Sequence, residues 1–194
     1  IGRWLEFVEL RLGAGGLIDS NAFIDYLREK TQVSRFEDLK IPLSIVAADF
    51  WERKQVVIDA GDLMTAVKAS MAIPGLFSPV TYQEQVLVDG SLVNPVPYDL
   101  LLEDCDLVIA IDVLGNRTPD PQNGPTYFET TFNTFQIMQA AIMREKLRCN
   151  PPQIYIKPDL REIRVLDFYK AEDIYRQARP ASLELNKRLA RIFS

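Results

Sequence analysis

The run Leu107–Val113 constrains the fold of this chain more than any other stretch. It reads Leu-Val-Ile-Ala-Ile-Asp-Val, so it is apolar except for one acid and rich in β-branched side chains. A continuous apolar run of this kind is typical of a parallel strand that is buried on both faces of a sheet. The sequence therefore predicts a layered α/β domain around such a strand.

The rest of the chain alternates between strand and helix periods, which supports the same fold class. The further strands that we predict are Ile41–Ala48, Gln55–Ile58, Ser78–Tyr82, Gln85–Val88 and Gln153–Ile156, with Leu92–Val96 as a return segment. The predicted helices are Leu5–Leu12, Phe23–Leu27, Leu63–Ala72, the amphipathic Phe128–Ile142, and Ala171 to the C-terminus with a kink or restart at Pro180.

The composition excludes several classes of function. The chain has 194 residues, 27 acidic and 22 basic side chains, a formal charge of −5, and no histidine. The negative balance and the lack of a Lys/Arg cluster argue against nucleic-acid binding. Without histidine, the chain contains no Ser-His-Asp triad, no Cys-His pair and no histidine-ligated metal site. Any hydrolytic mechanism must therefore use another side chain as its base.

The cysteines and the apolar stretches bear on location. Cys105 and Cys149 are far apart and lack the spacing of a zinc site, which indicates a reducing compartment. No apolar stretch is long enough to span a membrane, and no signal peptide opens the visible chain. We therefore expect a cytoplasmic protein that contacts membranes peripherally, mainly through apolar surface and with a weak response to salt.

Three acids, Asp49, Asp89 and Asp112, lie at the ends of predicted strands, where open α/β sheets bind ligands. Apolar neighbours favour a structural role for Asp49 and Asp112, such as capping a turn. Asp89 follows the apolar run Val86–Val88 and precedes Gly90, so its carboxylate emerges from an apolar strand where the backbone can turn sharply. Apolar surroundings raise the pKa of a carboxyl and make it a better base. An ordinary Asp-Gly turn is the alternative.

Two longer stretches surround Asp89: Ala69–Val80, which reads ASMAIPGLFSPV, and Val86–Pro97, which reads VLVDGSLVNPVP. In order, spacing and character they resemble the patatin-like phospholipase family. Supporting likenesses are found at Gly16–Asp19, Phe36–Leu43, Ala48–Asp49 and Val108–Val113. The resemblance implies a three-layer, Rossmann-like α/β domain with a mostly parallel central sheet flanked by helices. Residues 1–194 would be the C-terminal portion of that single domain, incomplete at its N-terminus.

The resemblance also implies a serine acyl hydrolase that works with a Ser–Asp dyad, with no histidine, metal or cofactor. The family's aspartate lies in an Asp-Gly-Gly or Asp-Gly-Ala triplet, which Asp89, Gly90 and Ser91 match except at the third residue. Asp89 would be the general base. We expect the Ser91 hydroxyl to hydrogen-bond this carboxylate and lower its basicity. Ser91 stands too close to Asp89 along the chain to be the nucleophile.

The family's glycine-rich oxyanion loop and its Gly-x-Ser-x-Gly nucleophile elbow are absent from these residues. None of the serines has glycines two residues before and after it, and we interpret the Gly13–Gly16 run as a linker, not an anion-binding loop. We therefore expect a piece of a longer product, as the first residue Ile1 also suggests. This chain would supply the base, remain inactive alone, and need the missing N-terminal part as a partner.

The implied substrate is a lipid ester, with phospholipid or lysophospholipid as the expected class. The apolar stripe of Phe128–Ile142 is interpreted as core, part of which could wall an acyl-chain pocket. Two alternatives stay open at this point. The chain could be a non-catalytic α/β interaction module or an inactive family member. Less favoured is a glycosidase that pairs Asp89 with Asp49 or Asp112.

Overall fold

The computed structural model describes residues 9–10, 18–115, 127–163 and 167–193. The backbone contacts divide the chain into two compact units, residues 1–95 and 96–194. Each unit has strands and helices of its own. The assignment of both units to one domain stays a prediction.

The first unit contains a four-stranded sheet and two helices. Its elements are β1 (Glu9–Leu10), β2 (Ile18–Asp19), α1 (Asn21–Thr31), β3 (Ile45–Asp49), β4 (Gln55–Ile58), α2 (Leu63–Ser70), β5 (Val80–Tyr82) and β6 (Gln85–Asp89). The strand order is β4-β3-β6-β5, with every neighbouring pair antiparallel, while β1 pairs with β2 alone.

The second unit contains a parallel strand pair and two long helices. Its elements are β7 (Ile109–Ile111), α3 (Tyr127–Cys149), β8 (Ile154–Ile156) and α4 (Ala171–Ile192). β7 and β8 run parallel, with Ala110 opposite Tyr155. The connection between them includes α3, as a parallel crossover requires.

The α/β prediction is confirmed, and among the described residues the parallel arrangement holds for β7 and β8 only. In the four-stranded sheet, the pairs β3–β4 and β5–β6 are hairpins with short turns, which cannot join parallel strands, and the central pair β3–β6 is antiparallel as well. Between β5 and β6 the turn consists of Gln83 and Glu84, whose φ angles of 45° and 66° are those of a two-residue hairpin turn.

One element prediction is wrong. Leu5–Leu12 was expected to be helical, but Glu9–Leu10 form a strand; from Val8 to Leu12 the sequence also alternates apolar and polar residues, the strand period. The predicted return segment Leu92–Val96 contains no strand: a 3₁₀ turn spans Gly90–Leu92, and Pro95 has no N–H to donate to a ladder. The Gly13–Gly16 run lies outside the described residues.

The core of the first unit lies between α2 and the sheet. Ala66 and Ala69 of α2 are fully buried, as are Ala47 of β3 and Leu87 of β6. Because alanine is small, the helix backbone can approach the central strands closely. This packing fixes the two strands that carry Asp49 and Asp89.

The core of the second unit is formed around β7, but only part of that strand is covered. Val108 and Ala110 are buried with Met143 of α3, whereas Ile111 and Val113 are 49% and 67% exposed. Burial on both faces of Leu107–Val113 was therefore predicted wrongly for the part of the chain that the structure describes. In the apolar stripe of α3, Phe132, Phe135 and Ile142 are half-buried and Met138 is exposed.

Candidate active site

Asp89 is the last residue of β6, and its backbone is fixed by β3 and by the residues that follow α2. It lies opposite Ala47 of the central strand β3, and its backbone N–H donates to the Ala72 carbonyl, 3.0 Å away, just past the end of α2. The preceding residues Leu87 and Val88 are buried. The carboxylate therefore leaves a rigid, apolar strand end, as the sequence indicated.

Gly90 allows the chain to turn next to β3. A Cβ at this position would lie 2.2 Å from the carbonyl oxygen of Val46 and 2.6 Å from its carbonyl carbon. The requirement for glycine is therefore one of space. The Gly90 carbonyl then accepts hydrogen bonds from the N–H groups of Val93, at 3.1 Å, and Asn94, at 2.9 Å, which closes the turn.

The Asp89 carboxyl is partly buried and is hydrogen-bonded by Ser91. Its Oδ1 accepts a hydrogen bond from the Ser91 backbone N–H at 2.8 Å. Burial raises the pKa of Asp89, while hydrogen bonds from the Ser91 hydroxyl and N–H lower it by less. Among the described residues, no lysine or arginine forms an ion pair with Asp89. The net effect is a carboxylate with increased affinity for a proton.

Ser70 also belongs to the surroundings of the site, and sequence reasoning missed it. At the end of α2, its Oγ donates to the Val46 carbonyl at 2.8 Å, the same carbonyl that faces Gly90. Ser70 therefore ties α2 to β3 directly behind the Asp-Gly turn. No signal in the sequence gives this contact, because it depends on strand register.

Asp49 shapes the turn between β3 and β4. Its Oδ1 accepts from the N–H groups of Trp51 and Glu52, and its Oδ2 accepts from the Gln85 Nε2, each at 2.9 Å. The hydrogen bond from Glu52 is the main cause that lowers the pKa of Asp49. Although Asp49 lies only two residues along β3 from Ala47, both of its carboxylate oxygens are engaged, one by the β3–β4 turn and the other by Gln85 of β6. This arrangement agrees with a structural role.

Asp112 is buried in the second unit and ties the ends of β7 and β8 together. Its Oδ1 accepts from the Leu114 N–H at 2.9 Å. Its Oδ2 accepts from the Tyr155 hydroxyl at 2.7 Å and the Lys157 Nζ at 2.9 Å. Burial, followed by the hydrogen bond to Asp112, raises the pKa of Tyr155. These contacts again agree with a structural role.

Comparison with known proteins identifies the family to which the sequence of this chain belongs. The family model described as patatin-like phospholipase matches residues 2–102, which include the Asp89–Ser91 triplet. The chain belongs to the patatin-like phospholipase family. The sequence resemblance to that family is thereby confirmed.

Several proteins that are similar in sequence to this chain are much longer than it. Two uncharacterized NTE family proteins of Mycobacterium tuberculosis are similar to it. One is 30% identical over 114 residues, which cover 58% of this chain and 32% of the relative. The other is 31% identical over 174 residues, which cover 75% of this chain and 29% of the relative. Lysophospholipase NTE1 of Kluyveromyces lactis is 28% identical over 164 residues, which cover 73% of this chain and 11% of the relative. The chain thus spans at most about a third of these relatives.

Two further observations concern the helices and the cysteines. In the part of the chain that the structure describes, no helix combines the length and the apolar character needed to cross a membrane. Cys105 and Cys149 are both free and exposed.

Proposed function

We propose that this chain of the patatin-like phospholipase family is the base-bearing part of a serine acyl hydrolase acting on lipid esters, with Asp89 as the general base. The observation that carries the proposal is the state of Asp89: a partly buried carboxyl with a raised pKa, at the end of a buried strand, within the region that matches the family. The lack of histidine in the chain supports a dyad over a triad.

The proposed reaction is acyl transfer in two steps. Asp89 takes the proton from a serine hydroxyl as its oxygen attacks the ester carbonyl, and backbone N–H groups stabilise the oxyanion. The alcohol leaves with a proton from Asp89. Water then attacks the acyl-enzyme while Asp89 takes its proton. Asp89 passes this proton to the departing serine oxygen, which releases the fatty acid and restores both side chains. No step requires a metal.

The nucleophile and the oxyanion donors are assigned to a further segment of the same protein, since no serine of these 194 residues lies in a Gly-x-Ser-x-Gly sequence. That segment would complete one patatin-like domain with this chain. The name of the Kluyveromyces lactis relative supports a phospholipid or lysophospholipid substrate. We also propose a cytoplasmic location, which the two free cysteines support, and peripheral contact with the membrane that holds the lipid substrate.

The test is Asp89→Asn in the complete protein. This change keeps the shape of the side chain and removes the base, so kcat for ester hydrolysis should fall by about 10²-fold to 10⁴-fold. Circular dichroism and thermal unfolding check that the fold is retained. Asp112→Asn is the matched control: it should lower the free energy of unfolding by about 2 kcal/mol or more, while the folded fraction keeps its activity. Near-normal kcat in Asp89→Asn would contradict the dyad.

A second candidate is an inactive family member or an interaction module. The observation that favours it is the missing nucleophile elbow in these residues. The two candidates differ in one measurement, the reaction of the complete protein with a fluorophosphonate probe. Labelling of a serine supports the hydrolase, and no labelling together with no ester hydrolysis supports the alternative.

A further inference from the structure

The turn between β3 and β4 exposes two large aromatic side chains side by side. Phe50 is 47% exposed and Trp51 is 72% exposed. Their rings pack edge to face with centroids 4.8 Å apart. Single exposed apolar residues are common on protein surfaces, but two adjacent aromatic rings at a hairpin tip form a small patch that water solvates poorly.

This aromatic tip is held by a rigid turn. Asp49 and Lys54 are joined by a backbone hydrogen bond of 2.9 Å, and the Phe50 N–H donates to the Val86 carbonyl at 2.8 Å. The Asp49 carboxylate holds the Trp51 and Glu52 N–H groups from within the turn. Because the backbone of the turn is already ordered, binding a partner over the rings costs little free energy for ordering the turn.

The charges next to the aromatic tip complement phosphate. Arg53 and Lys54 follow the aromatic pair after Glu52, and both are exposed. The nearby Asp49 carboxylate is buried and hydrogen-bonded within the hairpin, so Glu52 is the one exposed acid of the turn from Phe50 to Lys54. Within the turn itself, two cations and one anion leave a net charge of +1, on a chain whose formal charge is −5.

We propose that the β3–β4 turn docks on a phospholipid bilayer surface, with Phe50 and Trp51 in the interface and Arg53 and Lys54 against lipid phosphates. Tryptophan and phenylalanine favour the boundary between headgroups and acyl chains, where an apolar ring meets polar groups. This inference rests on the proposed function, because it names the surface from which that function would draw its substrate.

The register of the sheet relates the aromatic tip to Asp89. Ala47 lies opposite Asp89, and Phe50 and Trp51 come three and four residues later in the chain. At about 3.4 Å per residue, the tip lies roughly 10 to 14 Å along the sheet from the proposed base. A docked turn would therefore hold Asp89 roughly 10 to 14 Å from the interface, about two lipid-headgroup layers away.

The experiment uses the complete protein and vesicles of a diether phosphatidylcholine, which an esterase cannot cleave. In a version with Trp51 as the only tryptophan, vesicles should shift its emission to shorter wavelength, and brominated lipid should quench it. Trp51→Ala should weaken vesicle binding by about tenfold, and Trp51→Glu by more. The control Ile137→Ala removes another exposed apolar side chain, on α3, and should leave binding unchanged.

Because the turn carries a net charge of about one, 0.5 M NaCl should change vesicle binding by less than about fivefold.

Activity assays separate this inference from the proposed function. Trp51→Ala should hydrolyse a water-soluble short-chain ester within about twofold of the wild type, and vesicle lipid more slowly in proportion to lost binding. If Trp51→Ala binds diether vesicles as the wild type does, or if brominated lipid fails to quench Trp51, the inference is wrong. The same holds if Trp51→Ala changes the oligomeric state and not vesicle binding. If Trp51 anchors the protein but no ester is hydrolysed, the anchor stands and the proposed function fails.

Discussion

At the residue scale, burial of Asp89 links its proton to the stability of the fold. The pKa of Asp89 is raised in the folded state above its ordinary value of 3.8, so the folded state holds the proton more tightly than the unfolded state. The stability that comes from this proton is present below pH 3.8 and is lost as the pH rises through the raised pKa. Asp89→Asn, which stays neutral, should therefore raise the melting temperature at pH 7.

Thermal unfolding between pH 3 and pH 7 measures this effect. The difference in melting temperature between Asp89→Asn and the wild type should shrink as the pH falls towards 3. Asp104→Asn, at an exposed acid of the second unit, is the control and should give a small difference at every pH. A destabilised Asp89→Asn at pH 7 would mean that hydrogen bonds to the carboxylate outweigh its burial.

Ser91 offers a second prediction at this scale. Its hydroxyl hydrogen bond lowers the pKa of Asp89, so Ser91→Ala should raise that pKa further. Because the base must be deprotonated to act, the acid limb of the pH–rate profile of the complete protein should move to higher pH. The backbone bond from residue 91 remains. Ser70→Ala, which removes a hydroxyl bonded to Val46 and not to Asp89, should leave the limb in place.

At the scale of elements, Pro180 lies inside α4 although the helix continues from Ala171 to Ile192. Proline has no N–H to donate to the preceding turn, and its ring crowds that turn. Its side chain is exposed, so replacement disturbs no core packing. Pro180→Ala should therefore stabilise α4, by up to about 3 kcal/mol, measured as slower amide exchange across the helix. Ser182→Ala, at another exposed position, should have a much smaller effect.

The elements also show what sequence can and cannot give. The places of β4, β6 and α2 follow from apolar period and from Gly or Pro breaks, which are local signals. The contacts of the site depend on register between segments far apart in sequence. That Val46 faces Gly90, or that Lys157 reaches Asp112, has no local signal. Asp89 could be singled out because its apolar strand and its glycine are adjacent to it in the chain.

At the scale of the whole molecule, the proposed lipid substrate predicts a dependence on acyl length. Each additional buried CH₂ contributes about 0.8 kcal/mol, so an apolar acyl site should raise kcat/KM from two to ten carbons. A p-nitrophenyl ester series on the complete protein measures this, with each substrate kept below its micelle concentration. If kcat/KM stays flat or falls with acyl length, the acyl site is contradicted and only a generic esterase activity is supported.

The 194-residue chain alone should hydrolyse these esters only at the background rate. Addition of a companion segment that carries the nucleophile should restore hydrolysis.

The pairing of β3 with β6 has a consequence for how activity is acquired. Asp89 occupies its position only because Ala47 lies opposite it, and a slip of one residue would turn every side chain of β6 to the other face of the sheet. A partly folded chain therefore contains the aspartate without presenting a base. During refolding of the complete protein, the return of turnover should coincide with amide protection in these two strands. The enzymatic rate would then report when β3 and β6 pair in the native register.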